Sequence, residues 1–129
     1  MNKKLKLTDR EWRAFQFKDV FTHIQRGKRL KKDDHIEGTT PYVSSTATNN
    51  GIDGFVGNKE RVRIFSNCIS LANSGSVGSA FFQEFEFVAS DHVTSLQKEG
   101  IDKYAYLFML PIITRLSEKY SFNREIIDI

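Results

Sequence analysis

The segment 65–82, FSNCISLANSGSVGSAFF, constrains the fold of this chain more than any other. A dense apolar run leads into a loop of Asn, Ser and Gly, and a second apolar run follows the loop. Because Gly permits backbone angles and close approaches that other residues forbid, such a loop is typical of a turn between two strands. Polar loops held by rigid strands are also where binding residues concentrate, so the segment is a candidate for either role.

Length and cysteine usage limit the class of protein. A chain of 129 residues predicts a single domain, 1–129. The one cysteine, Cys68, excludes an internal disulfide and a Cys-based zinc site, and its apolar neighbours indicate a buried residue. Neither a secretory signal nor an apolar window that could span a bilayer is present. We therefore expect a cytoplasmic protein without membrane association.

Positive charge is concentrated in the N-terminal quarter. Residues 1–32 hold eleven Lys and Arg against three Asp and Glu, whereas residues 33–129 hold eight against thirteen. Such asymmetry points weakly to a polyanionic partner. Charge alone favours the simpler interpretation, a solvated surface that keeps the protein soluble.

Apolar alternation predicts short strands along most of the chain and one helix near its end. The helix should span 101–119 and be kinked or divided at Pro111, because Pro removes a backbone hydrogen bond and clashes with the preceding turn. The expected strands cover 12–21, 41–43, 55–56, 61–71, 79–82, 85–89 and 92–96. The predicted fold class is therefore α+β: a twisted, mainly antiparallel sheet or open barrel packed against a C-terminal helix.

The predicted core draws on the high Phe content, eleven residues in all, because exposing so many would promote aggregation. Its expected members are Phe15, Phe17, Ile64, Ile69, Leu71, Phe81, Phe87, Val93, Leu107 and Phe108.

Signatures of catalysis are missing from the sequence. It contains no Asp/Asn-Pro-Pro-aromatic motif for amino-group methylation, no phosphate-binding Gly-rich loop and no Glu-x-Lys of a metal-dependent nuclease. Its three histidines, which include His92, have no Cys or His neighbours at ligand spacing. Asp91 and His92 together resemble half of an acid–base pair, but an ordinary hydrogen bond at a strand edge is the favoured interpretation. We therefore predict no catalytic residue, metal or cofactor.

Three polar segments could converge on one surface that binds DNA. Lys and Arg neutralise phosphates, Asn can pair with adenine through two hydrogen bonds, and Ser and Thr bind many base edges. The candidate phosphate ligands are Arg26, Lys28, Arg29, Lys31 and Lys32. The candidate contacts to bases or the groove are Ser45, Thr46, Asn49, Asn50, Asn73 and Ser76. Each segment is a weak signal by itself, since polar loops are common.

Several blocks together resemble the target-recognition domains of type I restriction–modification DNA specificity subunits. The resemblance runs from Trp12 to Arg124, in order and at sensible spacing. Its blocks are Trp12 with FKDVF at 17–21 and GK at 27–28, PYVSST at 41–46 with NNGI at 49–52, ISLANSGSVGSAFF at 69–82, ASDHV at 89–93 and KYSFNR at 119–124. Similar domains also accompany type IIB and IIG restriction enzymes.

The resemblance implies a reader of double-stranded DNA sequence without catalysis of its own. In that family, long helices separate two recognition domains and dock a DNA methyltransferase subunit, and a restriction subunit can join them. S-adenosylmethionine would be bound by the methyltransferase and not by this chain. The signature blocks more often shape the fold, while bases are read by variable loops.

The sequence departs from the family pattern at its end. It stops at Ile129, before the spacer helix that normally follows, and so resembles a domain truncated at its C-terminus or a half-subunit that forms a homodimer. The alternative function is a protein-interaction module that competes for a partner subunit through an apolar patch after Pro111 or in 120–129. A third interpretation, a nuclease, would need the acidic residues Asp33, Asp34 and Glu37 to cluster.

Overall fold

The computed structural model describes residues 20–74 and 78–119, the last four of these as helix backbone. Within these ranges, eight strands form two four-stranded sheets, and one long helix follows them. The strands are β1 His23–Arg26, β2 Thr40–Val43, β3 Ile52–Val56, β4 Arg63–Phe65, β5 Cys68–Ala72, β6 Ala80–Gln83, β7 Phe87–Ala89 and β8 Val93–Gln97, and the helix is α1 Lys103–Lys119.

The first sheet has the order β1-β8-β5-β6 and is antiparallel throughout. Side chains alternate between the two faces of a strand, so Ile69 and Leu71 of β5 lie on one face and Cys68 and Ser70 on the other. Helix α1 packs on the first of these faces, where Ile69, Leu71, Leu96, Tyr106 and Ile113 form one buried cluster. The Phe82 and Tyr106 rings stack in this interface, with centroids 5.4 Å apart.

The second sheet has the order β3-β2-β7-β4 and is mixed, because β2 and β7 run parallel. Its inner face meets the other sheet, and Val43, Phe87 and Ala89 form a buried cluster there with Cys68 and Val93. Burial raises the pKa of the Cys68 thiol to about 12. This sheet interface therefore holds a neutral thiol in an apolar environment.

The outer face of the second sheet is covered by loops instead of a helix. Tyr42, Val56 and Val88 form its buried cluster, and Leu30 and Val62 from the neighbouring loops pack on it together with Ile64 of β4. The described chain thus has four layers: helix, sheet, sheet and loops. This confirms the predicted α+β class with a C-terminal helix; the two sheets remain open and do not close into a barrel.

Most of the predicted strands are present, but the one expected over 61–71 is two strands. Strands β4 and β5 belong to different sheets, and the chain turns between them at Ser66 and Asn67. Asn67 has a φ of 52°, a left-handed conformation that Asn tolerates better than most residues. In the sequence, the turn is marked only by the polar dipeptide Ser66-Asn67 between apolar residues. The predicted strand over 12–21 lies almost wholly outside the described residues.

Helix α1 corrects the predicted core at two positions. Leu107 and Phe108 are 45% and 73% exposed. The helix buries Tyr106 and Ile113 and partly buries Met109 and Leu110, which is the spacing of a single face. At 100° per residue, Leu107 and Phe108 fall outside that face. Pro111 does not divide the helix, which continues from Lys103 to Lys119.

The other predicted core residues follow the layers. Ile69, Leu71, Phe87 and Val93 are fully buried, whereas Ile64 and Phe81 are only partly buried. Phe15 and Phe17 lie outside the described residues.

Candidate nucleic-acid interface

The turn between β7 and β8, residues 90–92, joins two of the polar segments. Ser90 is buried, donates its backbone N–H to Val43 O at 3.0 Å and donates its hydroxyl to Ser44 Oγ at 3.2 Å. His92 O accepts the Asn73 N–H at 2.9 Å, and the His92 Nδ1 and Ser74 Oγ atoms share a hydrogen bond. The turn therefore fixes the end of β2 and the end of β5 beside one another.

The basic segment, residues 26–32, is attached to the same turn through Gly27. The Gly27 N–H donates to Val93 O at 2.8 Å and the Lys28 N–H to Ala89 O at 3.1 Å. A Cβ on Gly27 would lie 2.1 Å from Ser90 O, a separation that no side chain could adopt. Only Gly allows the backbone this close, and the approach places Lys28 beside the 90–92 turn.

The loop 44–51 extends this surface along the second polar segment. Asn49 and Asn50 both have a positive φ, 55° and 56°, which Asn tolerates, and the Ser44 N–H closes the loop on Gly51 O at 3.0 Å. Gln83 of β6 holds the loop from the neighbouring sheet, donating to Asn50 O at 2.7 Å and accepting from Asn50 Nδ2 at 3.3 Å. We call residues 44–51, 73–74 and 90–92 the polar rim.

The candidate base contacts on the polar rim differ in how far their side chains are already bonded. Asn73 is buried and its amide donates to Thr94 Oγ1 at 2.8 Å, and the Asn50 amide bonds Gln83. Asn49 is exposed and donates to Ile52 O at 3.2 Å, which leaves its side-chain oxygen available. Ser45 and Thr46 are half-buried. Ser76 lies outside the described residues.

A second surface lies where the basic segment meets the loop before β4. An open cleft of about 750 Å³, which we call the basic cleft, is lined by residues 28–30, Asp34, Ile36 and residues 57–61. Three hydrogen bonds hold its two sides together: Gly57 N–H to Ile36 O at 2.6 Å, Ile36 N–H to Asn58 Oδ1 at 2.8 Å and Asn58 Nδ2 to Asp34 O at 2.9 Å. The cleft is therefore bordered by backbone held in place at several points.

The predicted phosphate ligands are all exposed but do not all line the basic cleft. Lys28 and Arg29 line it, whereas Lys31 and Lys32 belong to the same segment without lining it. Arg26 closes β1, and its carbonyl accepts a hydrogen bond of 2.7 Å from the Arg63 guanidinium. The basic segment thus presents its charges over a broad surface.

Two groups of residues in this region were missed by the sequence reasoning. The 90–92 turn is the junction of the polar rim, yet Asp91 and His92 were given only an ordinary strand-edge role. Lys59 and Arg61 line the basic cleft together with Lys28 and Arg29. The dipeptide Gly57-Asn58 just before them was the available signal, because a Gly beside an Asn often marks a fixed turn.

The acidic residues and histidines of the described part of the chain are dispersed. No group of three or more His, Cys, Asp or Glu side chains comes together in 20–74 and 78–119, and Asp33, Asp34 and Glu37 form no such cluster. Burial raises the pKa of the Tyr42 phenol, so this side chain stays neutral beneath the cleft. Its ring packs edge to face against the His35 ring, with the ring centroids 4.8 Å apart. None of the described helices is long and apolar enough to cross a membrane.

In the described residues, two open sheets and one helix form an α+β fold whose surface carries the polar rim and the basic cleft. Residues 9–128 match the family described as the type I restriction modification DNA specificity domain. The match covers nearly the whole chain, and the chain therefore belongs to that family.

Individual relatives agree with this assignment. The chain is 30% identical over 119 residues to the specificity subunit S.BcgI of a type II restriction enzyme from Heyndrickxia coagulans, covering 91% of this chain and 34% of that protein. The chain thus spans about a third of the curated relative it matches. The match to a type II enzyme is consistent with the wider occurrence of such domains.

Solved structures share the fold. The S subunit of the type I restriction-modification system from M. genitalium has a TM-score of 0.58 at 19% identity, covering 81% of this chain and 28% of that one. The HsdS subunit from Thermoanaerobacter tengcongensis has a TM-score of 0.55 at 11% identity, covering 78% and 28%. A chain from a structure of type I system assembly and conformational transition has a TM-score of 0.60 at 14% identity, covering 88% and 32%.

Proposed function

We propose that this domain reads a short sequence of double-stranded DNA and directs partner subunits of a restriction–modification system to it. The observation that carries the proposal is the junction at the 90–92 turn. It holds the loop 44–51, the end of β5 and the start of the basic segment together. Phosphate contacts position a protein on DNA and groove contacts specify the sequence, and this surface offers both kinds of group side by side.

The polar rim and the basic segment would divide these two tasks. Arg26, Lys28, Arg29, Lys31 and Lys32 would bind phosphates. Ser45, Thr46 and Asn49 would reach base edges, with Ser76 in the adjoining loop. Asn50 and Asn73, whose amides bond Gln83 and Thr94, would set the shape of the rim and contact the groove through their remaining polar atoms.

Catalysis in the assembled system would belong to the partners. A DNA methyltransferase subunit would bind S-adenosylmethionine and methylate the target, and a restriction subunit would join the complex. This chain would act in the cytoplasm, where the DNA and these partners are found. It would contribute specificity without a cofactor or metal of its own, alone or as a homodimer.

Selection from a random duplex library tests the proposal. The purified protein is used at two salt concentrations, and bound duplexes are sequenced. We expect a short shared sequence, with affinity that falls steeply as salt rises because phosphate contacts release counterions. Binding without enrichment would limit the function to a phosphate-binding surface. The absence of binding at low salt would contradict the proposal.

A second candidate function, a protein-interaction module, is favoured by the outward face of α1. Tyr104, Leu107 and Phe108 are 68%, 45% and 73% exposed. Leu107 and Phe108 lie one helical turn after Tyr104, and all three precede Pro111 instead of following it. The other predicted location of an apolar patch, 120–129, lies outside the described residues. Three large apolar side chains in one exposed row are typical of a surface that a partner covers.

Competition with a methyltransferase subunit separates the two candidates. In the interaction module, Phe108→Ser would weaken capture of that subunit while duplex binding stayed unchanged. Phe55→Ser is a matched control, because Phe55 is also exposed, at 57%, and lies on the edge strand β3 of the second sheet, whereas α1 packs on the first sheet. Equal capture by both variants and the unsubstituted protein would remove this candidate.

A further inference from the structure

We propose that Lys59 and Arg61 bind a phosphodiester of duplex DNA together with Lys28 and Arg29, across the basic cleft. The inference rests on the proposed function and extends it to a loop that the sequence pattern did not single out. The two pairs of cations are about thirty residues apart along the chain, and the fold brings both pairs to the lining of one cleft.

The four cations are exposed, and none of them is paired with another described residue. Within the described residues, Lys28, Arg29, Lys59 and Arg61 make no ion pair with any carboxylate, whereas Lys103 pairs with Glu84 at 3.7 Å. A cation that already holds a carboxylate must release it before it can bind a phosphate. The four cleft cations need no such release, which favours anion binding.

The backbone beneath these cations is held in place. The Asn58 side chain is 8% exposed and uses both ends of its amide, accepting from Ile36 N–H and donating to Asp34 O. Gly38 and Gly57 touch so closely that a Cβ on Gly38 would lie 2.3 Å from Gly57 Cα. Lys59 and Arg61 follow directly from this anchor, so the loop is positioned before any ligand arrives.

The charge balance of the cleft favours a phosphodiester over a more highly charged anion. Asp34 and Glu60 also line the cleft, so four cations face two carboxylates. An excess of two positive charges is suited to one or two phosphodiesters, each with a single negative charge. Because the cleft is open and bordered by Gly backbone, a continuous DNA strand could pass along it.

The test compares Lys59→Gln and Arg61→Gln with Lys98→Gln and Arg115→Gln. The control residues are also exposed, but they lie after β8 and on α1, away from the cleft. Affinity for a duplex is measured at several salt concentrations. We expect each cleft variant to bind about tenfold more weakly and to lower the salt slope by about one, while the controls match the unsubstituted protein.

The outcomes separate this inference from the proposed function. If the unsubstituted protein binds DNA and the cleft variants match their controls, the cleft inference is wrong and DNA recognition stands. If the unsubstituted protein does not bind DNA, the proposed function itself is contradicted.

A competition experiment distinguishes a phosphodiester of DNA from free phosphate. Duplex binding is compared in sodium phosphate and in sodium chloride at equal ionic strength. Displacement of the duplex by phosphate alone, with the cleft variants insensitive to it, would indicate a site for free phosphate and overturn the inference.

The variant Asn58→Ala tests the anchor independently. Loss of its two hydrogen bonds should release the loop, weaken duplex binding and leave the four charges unchanged. A thermal unfolding curve establishes that the variant is folded. Full affinity in a folded Asn58→Ala protein would contradict the pre-positioned cleft.

Discussion

The polar rim and the basic cleft differ in how their polar groups are used. On the rim, the side chains of Ser90, Asn73 and Asn50 form hydrogen bonds within the domain. In the cleft, one amide, that of Asn58, fixes the backbone, and the charged side chains above it have no described partner. The rim is therefore built mainly to hold a shape, and the cleft is built to present charge.

The Asn and Ser side chains of a polar loop are therefore not all free to recognise a ligand. A buried amide must be hydrogen-bonded, since leaving it unpaired costs about 1–3 kcal/mol. Loops that pack against strand ends therefore satisfy many of their own polar atoms. Long cations with exposed heads escape this requirement because water solvates them.

The largest expected effect comes from Gly27, where the rim and the basic segment meet. Gly27→Ala would drive a Cβ into Ser90 O and Ala89 O, backbone atoms that cannot move without breaking β7. We expect a loss of roughly 3 kcal/mol or more in the free energy of unfolding, measured by urea denaturation. Gly100→Ala is the control, because its Cβ would meet open space despite a φ of 85°, and it should cost about 1 kcal/mol. Equal losses would show that the two regions are not joined at Gly27.

Gln83 tests whether the rim depends on internal hydrogen bonds. Gln83→Ala removes its bonds to Asn50 O and Ser70 Oγ, and we expect about 2 kcal/mol less stability. In duplex selection, enrichment of the shared sequence should fall more than the total amount of duplex bound, because the loop 44–51 would lose its support. Gln25→Ala, at an exposed position on β1, should change stability by less than about 0.5 kcal/mol. Unchanged enrichment in Gln83→Ala would break the link between rim shape and specificity.

Cys68 lies between the sheets, and its thiol makes the free energy of unfolding depend on pH in a way that neither surface does. Its folded pKa, about 12, is raised above the ordinary value of 9.0, so the folded state holds a proton that the unfolded state loses first. The stabilising contribution of the thiol is complete below pH 9 and is lost as pH rises toward 12. The stability advantage over Cys68→Ala, about 1 kcal/mol at neutral pH, should therefore shrink in this window. A constant difference from pH 8 to 12 would contradict the buried position.

Lys31 gives the smallest expected effect and sharpens the boundary of the cleft. It is exposed on the basic segment without lining the cleft, so Lys31→Ala should weaken binding to all sequences alike and less than Lys28→Ala does. Competition binding with matched and scrambled duplexes measures both quantities. A change in the preferred sequence would mean that Lys31 contacts bases and that its phosphate role is wrong.

The sequence was sufficient for the fold class because strand and helix periods are local signals. Alternation located β2 and β6–β8 closely, and the long apolar pattern located α1. It did not reveal the break at Asn67, because the dipeptide Ser66-Asn67 is short and apolar residues of strand character lie on both sides of it. Exposure of Leu107 and Phe108 was missed because composition indicates that Phe is buried on average, not which face a helix turns to the sheet.

The candidate site was only partly accessible from the sequence, for a similar physical reason. Runs of Lys and Arg are visible along the chain, and so the 26–32 segment was identified. The approach of Lys59 and Arg61 to that segment depends on a pairing of distant loops through Asn58. Likewise, the 90–92 turn becomes a junction only because β7 pairs in parallel with β2, a strand that is distant along the chain.

An amide NMR titration of the isotope-labelled protein with a duplex recovered by selection tests whether the polar rim and the basic cleft bind the same DNA together. We expect the resonances of the polar rim, such as those of Asn49 and His92, to shift together with those of the basic cleft at one affinity. The cleft residues to follow are Lys28, Lys59 and Arg61. Resonances at Leu107 and Phe108 should stay in place. Shifts confined to α1, or rim and cleft resonances that do not move while the duplex is bound, would contradict the account.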